Sequence, residues 1–246
     1  MKLHNYFRSS ASIRVRAALN LKGLDYVYAG HALRKGEHRT PEFLELNPQG
    51  LVPALVLADG TVLTQSLAII DYLDTTLPDP PLLPRAAKDR ARVRALAYAV
   101  ACDIHPVNNL RVLQFLQTRF GADESAVADW FRHWVGETFQ PLETMLAGSA
   151  RTGRFCHGDG PTLADICLFA QVVNNRRFGV DMAAYPVIER IFDACIALPA
   201  FERSLPEHQP DAELPSRSGR LETPSLRLQH DFDGHQDGTC ARVQAA

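Results

Sequence analysis

The sequence predicts a small α/β domain followed by an all-helical domain. Three observations carry that prediction. Up to residue 77, short apolar runs and amphipathic stretches alternate in the order β-α-β-α-β-β-α. The segment Leu77-Pro78-Asp79-Pro80-Pro81-Leu82-Leu83-Pro84 then breaks every pattern and reads as a linker. Beyond it the apolar spacing is helical throughout. The chain therefore divides into residues 1–77, a linker at 78–85, a helical domain at 86–213, and a remainder at 214–246.

Each element has a local cause. Residues 2–6 form a short strand. Residues 12–22 form a helix, with Ser10 or Ser12 as N-cap and Gly23 as stop signal. Residues 26–29 give a second strand, followed by the polar loop Arg34-Lys35-Gly36-Glu37-His38-Arg39. Thr40-Pro41-Glu42 opens a short helix, because proline suits a first helical turn. Asn47-Pro48-Gln49-Gly50 is a turn, and residues 51–56 form a strand entered through Pro53. Asp59-Gly60 marks a hairpin with its return strand at 61–64. Ser66 then caps a helix over 67–76.

In the helical part, residues 86–117 read as one amphipathic stretch kinked at Pro106, since proline removes a backbone donor. Residues 123–146 form another, with Trp130, Trp134 and Leu142 on apolar spacing and Pro141 as an interior breaker. Thr162-Leu163-Ala164-Asp165 is a capping box with aspartate in place of glutamate. Its carboxylate has a sufficient structural explanation and is assigned to folding. Leu163, Ile166, Phe169 and Val173 follow at buried-helix spacing, and residues 186–198 close the set. Residues 214–246 are rich in Ser, Gly, Gln, Asp and Arg without a period and read as a disordered tail.

Composition narrows the partners. The net charge of -2 gives no bulk attraction to nucleic acid or to an anionic membrane. The N-terminus turns polar at once, and no apolar run reaches the ~20 residues of a membrane helix, so a soluble cytoplasmic protein is expected. The cysteines, Cys102, Cys156, Cys167, Cys195 and Cys240, form no CxxC pair. Free buried thiols in a reducing compartment are expected, with neither disulfides nor a metal site.

The richest stretch is Phe7-Arg8-Ser9-Ser10-Ala11-Ser12-Ile13-Arg14-Val15-Arg16, where a strand runs into a helix. A helix N-terminus offers free N–H groups and partial positive charge. A hydroxyl there can donate to an anion such as a thiolate. This suits the activation of a borrowed sulfur rather than of a nucleophile of the chain's own. Arg14 and Arg16 alternate with apolar residues and are expected to form structural ion pairs.

Ser9-Ser10-Ala11-Ser12-x-Arg14-Val15-Arg16 resembles the zeta-class signature S-S-C-S-x-R-V-R of the glutathione transferases. Ala18-Leu19-Asn20-Leu21-Lys22-Gly23, Asn47-Pro48-x-x-x-Val52-Pro53, Gln65-Ser66-Leu67-Ala68-Ile69-Ile70, His105-Pro106-x-Asn108-Asn109-Leu110, Gly158-Asp159-x-Pro161-Thr162-Leu163-Ala164-Asp165 and Gln209-Pro210-Asp211 agree with it. The likeness spans residues 2–213. It implies a thioredoxin-like N-terminal domain, an all-α C-terminal domain, glutathione as cofactor, a homodimer, and cis–trans isomerisation of maleylacetoacetate or, as an alternative, of maleylpyruvate. A glutathione-consuming transferase or α-halo acid dehalogenase is a rival reading, and a non-enzymatic binding domain is disfavoured. Ala11 stands where the family usually has cysteine, so a protein thiol able to attack the substrate is absent from that position.

The resemblance also assigns roles. Ser9 and Ser10 would hold the thiolate, Ser9 being the favoured contact. Val52 backbone, freed by a cis Val52-Pro53 bond, would pair with the cysteinyl part of glutathione. Gln65 and Ser66 would take the γ-glutamyl carboxylate, and His38 matches a contacting loop position. His105 would bond glutathione, protonate an enolate, or serve structure alone, and Asn109 lies beside it at the kink. Arg8, Arg111 and Arg177 would bind a dianionic keto acid by bidentate forks, with Arg177 rather than Arg176 facing inward.

Overall fold

The computed structural model describes residues 1–212, so the expected tail at 214–246 lies outside the described residues. The N-terminal elements are β1 (Lys2–Asn5), α1 (Ser10–Leu21), β2 (Val27–Gly30), α2 (Pro41–Leu46), β3 (Ala54–Val56), β4 (Val62–Thr64) and α3 (Ser66–Thr76). The sheet runs β2-β1-β3-β4. β1 is parallel to β2, antiparallel to β3, and β3 is antiparallel to β4. This is the expected thioredoxin-like order. Strand alternation puts Leu3 and Asn5 of β1 on the buried face, while His4 on the other face meets the Phe43 ring of α2.

The helical part holds α4 (Ala87–Tyr98), a π-helical segment (Ala99–Ile104), α5 (His105–Val107), α6 (Leu110–Phe120), α7 (Glu124–Ala147), α8 (Leu163–Arg177), α9 (Pro186–Ile196) and α10 (Pro199–Glu202). α1 packs on α3, on α8 and on α10. One hydrophobic cluster accordingly runs from Leu3 and Ile13 through Leu82 of the linker to Phe131, Phe169 and Phe201. At roughly 25 cal/mol per Å² of apolar surface removed from water, this shared core is what fixes the helices against the sheet.

Several expectations need correction. Helix α1 is capped by Ser9, whose Oγ accepts from Ser12 N at 3.2 Å, and not by Ser10 or Ser12. Helix α3 begins at Ser66, but the cap position is Gln65, with no side-chain cap bond. The stretch 86–117 is not one kinked helix. A π-helical turn precedes Pro106, and the chain breaks at Asn108-Asn109 before α6 starts afresh. The break is satisfied from α7: Trp130 Nε1 donates to Val107 O at 3.0 Å, and Asn108 Nδ2 donates to Phe131 O at 3.1 Å.

Pro141 does not end α7, which continues to Ala147. Two residues on, the buried Glu143 carboxylate accepts from Val187 N at 2.8 Å and Ile188 N at 3.0 Å. It thereby caps α9 and anchors the helix across the proline. The capping box of α8 is present as expected. Asp165 accepts from Thr162 N, Thr162 Oγ1 and Cys156 N, all at 2.7 Å. Of the thiols, Cys156, Cys167 and Cys195 are buried, but Cys102 on the π-helical segment is exposed. Arg14 and Arg16 make no ion pairs among the described residues: Arg16 binds carbonyls and Asn5, and Arg14 touches only Ser66 Oγ. Among the described residues no helix is long and apolar enough to cross a membrane.

Candidate functional site

Sheet topology gathers the site. β3 starts at Ala54 opposite His4 near the end of β1, and β4 ends at Thr64 opposite Ala54. The loop carrying Arg8 and Ser9, the Val52-Pro53 entry to β3 and the Gln65-Ser66 exit of β4 therefore share one end of the sheet. The Val52-Pro53 bond is cis, and so is Asp79-Pro80 in the linker.

The loop before α1 is tightly held. Arg16 Nη1 donates to Asn5 Oδ1 at 2.8 Å and Tyr6 O at 3.3 Å, and Nη2 donates to Phe7 O at 2.9 Å. Asp211 takes Phe7 N at 3.3 Å and the Tyr28 hydroxyl. Ser9 is thus fixed at the helix start. Its Oγ accepts the Ser12 N–H, which leaves its hydroxyl proton to donate outward. Ser10 is buried, and its Oγ lies 3.2 Å from His105 Nδ1. The two serines therefore differ: Ser9 offers a donor, whereas Ser10 is engaged with the imidazole.

His105 is pushed down to about 3 by burial, then by the Arg14 and Arg111 charges. It is a neutral imidazole at neutral pH, which leaves little imidazolium to act as an acid. Arg111 itself sits on α6, past the break. Asn109 caps α6 by accepting from Arg111 N at 3.2 Å, so its side-chain oxygen already has a structural task.

At the exit of β4, Gln65 holds φ 67, a left-handed conformation that costs a non-glycine residue energy. Its Nε2 donates to Gln49 Oε1 at 3.0 Å, a partner the sequence did not suggest. Ser66 is buried and lies 3.5 Å from Arg14 Nη1. His38 is half-buried, and its pKa is lowered by burial, then by Arg39 and His31. Its turn packs on Gly50, where a Cβ would come within 2.8 Å of Arg39 Nη1 and 3.1 Å of His38 O.

Of the arginines on α8, Arg176 pairs with Glu189 at 2.8 Å and lies 4.1 Å from the Phe192 ring centroid, a structural arrangement. Arg177 lies 4.9 Å from the Phe178 ring centroid. Loss of hydration, then the like charge of Arg8, lowers Arg177 to about 10. It stays open to solvent although protein surrounds it densely, the condition of a residue on a concave wall. Two cations brought together in this way favour a ligand with more than one negative charge.

The donor set suits a thiol-bearing peptide anion: an outward hydroxyl at Ser9, backbone at Val52, and the start of α3 with Ser66 above a buried cation. Glutathione has those groups. Among the described residues no cluster could hold a metal ion.

The family model for the glutathione S-transferase N-terminal domain matches residues 8–76. A maleylpyruvate isomerase from Ralstonia sp. is 50% identical over 212 residues, covering 86% of this chain and 100% of the relative. The holo structure of a maleyl pyruvate isomerase, described as a bacterial glutathione S-transferase of the zeta class, superimposes with a TM-score of 0.85 at 49% identity, covering 87% of this chain and 100% of that one. A maleylacetoacetate isomerase from Methylobacterium extorquens AM1, solved with malonate and glutathione bound, gives a TM-score of 0.84 at 45% identity, covering 87% and 100%. Fold, site geometry and these likenesses agree: the chain belongs to the glutathione transferases, in the zeta class of maleylacetoacetate and maleylpyruvate isomerases.

Proposed function

We propose that the chain is a glutathione-dependent cis–trans isomerase of a maleyl keto acid, with maleylacetoacetate as its substrate. The observation that carries this reading is Ser9: a hydroxyl at a helix N-terminus that accepts from Ser12 N and keeps its proton for an anion. Bound glutathione supplies a thiolate whose reversible addition lowers the order of the conjugated double bond, so that it can turn. The protein's part is to hold and polarise. Ser9 donates to the sulfur and, with the α1 N-terminus, favours its ionised form, since a free thiol titrates near ~8.5. Val52, Gln65, Ser66 and His38 hold the tripeptide. Arg8 and Arg177 hold one carboxylate end of the keto acid and Arg111 the other. His105, neutral and bonded to Ser10, keeps the inner wall uncharged, with Asn109 at its edge.

On this division residues 1–77 bind glutathione, and residues 86–213, together with Arg8, bind the diacid. The malonate bound by the M. extorquens relative supports the class of substrate. Maleylpyruvate is a second reading, favoured by Ala11 in place of the family's cysteine and by the Ralstonia relative. We place the chain in the cytoplasm as a homodimer, the commonest symmetry.

The test is to assay both keto acids with full-length protein, with and without glutathione. Isomerisation is expected only with glutathione, which is recovered unchanged. Its consumption would identify a transferase or dehalogenase instead. In the same assay Arg177→Ala should raise KM for the diacid roughly tenfold to a hundredfold, the worth of a charged hydrogen bond, and leave KM for glutathione unchanged. Equal rises in both would remove Arg177 from the substrate site.

A further inference from the structure

Arg14 lies one helical turn after Ser10 on α1, fully buried, and makes no ion pair among the described residues. Its Nε and Nη2 have no hydrogen-bond partner there, and its one contact is Nη1 to Ser66 Oγ at 3.5 Å. Burying an unpaired cation costs several kcal/mol, so a fold that keeps one needs a compensating anion. Among the described residues the surrounding protein offers none. From α8 comes the thiol of Cys167, from the π-helical segment that of Cys102, and from α5 the neutral imidazole of His105. The one polar group that Arg14 reaches is the hydroxyl of Ser66, the first residue of α3. That helix has no side-chain cap, and the residue before it, Gln65, is held at positive φ.

We propose that Arg14 is a positioning residue for glutathione: buried beneath the start of α3, it turns the Ser66 hydroxyl outward and sets a fixed positive charge under the γ-glutamyl carboxylate. By donating to Ser66 Oγ it occupies one acceptor lone pair of that hydroxyl, as Ser12 N does for Ser9, and leaves the proton to point at the ligand. The buried charge acts in a low-dielectric setting, where salt screens it little. The inference rests on Ser66 holding the γ-glutamyl end, as proposed above.

The experiment compares two ligands by titration calorimetry in full-length protein: glutathione, and the analogue 4-aminobutyryl-cysteinylglycine, which lacks only the γ-glutamyl α-carboxylate. The native protein should prefer glutathione by roughly tenfold to a hundredfold. Arg14→Met should bind glutathione more weakly and lose most of that preference while retaining its affinity for the analogue. Arg14→Lys, which keeps the charge, should retain part of it. An Arg14 with only a packing role would weaken both ligands alike, and that result overturns the inference. So does a native protein with no preference, a measurement that needs no variant. If Ser66→Ala abolishes the preference while Arg14→Met keeps it, the inference fails and the γ-glutamyl reading stands. If neither variant changes it, both fail.

Discussion

Arg16 makes five hydrogen bonds, two of them to Ser204 O and the rest to Asn5, Tyr6 and Phe7. Arg14, two residues earlier on α1, makes one long contact and leaves two nitrogens without partners. Both side chains are buried, Arg14 with 1% exposure and Arg16 with none. They point roughly 200° apart around the helix, so one faces the loop before α1 and the C-terminal turns, and the other faces α3. Identical chemistry is thus used twice. Arg16 is saturated by backbone oxygens and serves as a knot for the loop that carries Ser9. Arg14 is left with unspent donor capacity beside the residue that begins α3. The difference teaches that a buried charge is a statement about stability when its donors are filled, and about a ligand when they are not.

The largest effect should come from breaking this contrast directly. Arg16→Met leaves Tyr6, Phe7 and Ser204 carbonyls and Asn5 Oδ1 without their donor, at about 1–3 kcal/mol each for those that water does not reach. Urea unfolding should show a loss of about 3–5 kcal/mol. Arg14→Met removes a cation that the fold never paired, so its unfolding midpoint should stay level or rise, as buried charges replaced by apolar groups often do. Equal losses in the two variants would erase the distinction between knot and ligand-facing charge.

The next effect separates the two tasks of Ser9. Ser9→Asp keeps an oxygen that can cap α1, and carboxylates cap as well as hydroxyls do. It puts a negative charge where a thiolate is to sit and has no proton to donate. Turnover should fall roughly 10²–10³-fold, the usual consequence of losing one aimed donor, with the unfolding midpoint retained. Ser9→Ala should lose similar turnover and, in addition, about 1 kcal/mol of stability. A Ser9→Asp enzyme with near-native turnover would mean that the serine is a cap and nothing more.

How far the sequence reached follows the same division between local and non-local causes. Turns, proline at first helical positions, the capping box of α8 and the order of strands are written within a few residues of where they act, and they stand as read. The choice among Ser9, Ser10 and Ser12 as cap is not local. All three side chains are competent, and Arg16 together with Ser204, distant in sequence, decides where the loop ends. The break at Asn108-Asn109 hides because apolar spacing runs across it, and the groups it frees find partners on α7. The ion pair that Arg14 lacks among the described residues has a related cause: alternation with apolar residues says that it is buried, but not whether an acid waits for it. The i,i+4 spacing from Ser10 was the available signal, since it puts Arg14 on the helix face that carries the site. Arg8, Arg111, Arg177, Gln65 and Ser66 are proposed from motif likeness, while the contacts of Gln49 with Gln65 and of Asp211 with Tyr28 needed the folded chain.

The smallest effect concerns how far the Arg14 charge reaches. His105 is held at about 3, first by burial and then by Arg14 and Arg111. Since its folded pKa lies below its unfolded value of about 6.5, the unfolded chain binds the extra proton between those limits. Stability is therefore unaffected by His105 above pH ~6.5 and falls as pH drops below it, by at most ~1.4 kcal/mol per pH unit for one proton. His4, lowered to about 4 by burial and by the neighbouring His31 and Lys2, adds to the same slope. Arg14→Met should raise the His105 pKa, followed by NMR of its ring proton, yet leave it below the ordinary value because burial remains the larger cause. The His4 resonance, on the opposite face of the sheet from Leu3 and the α1 core, should not move. If His105 stayed at its native pKa in Arg14→Met, the charge would not extend to the Ser10 side of the site. Arg14 would then act on the start of α3 alone, with the wall beside the thiol set by burial and Arg111.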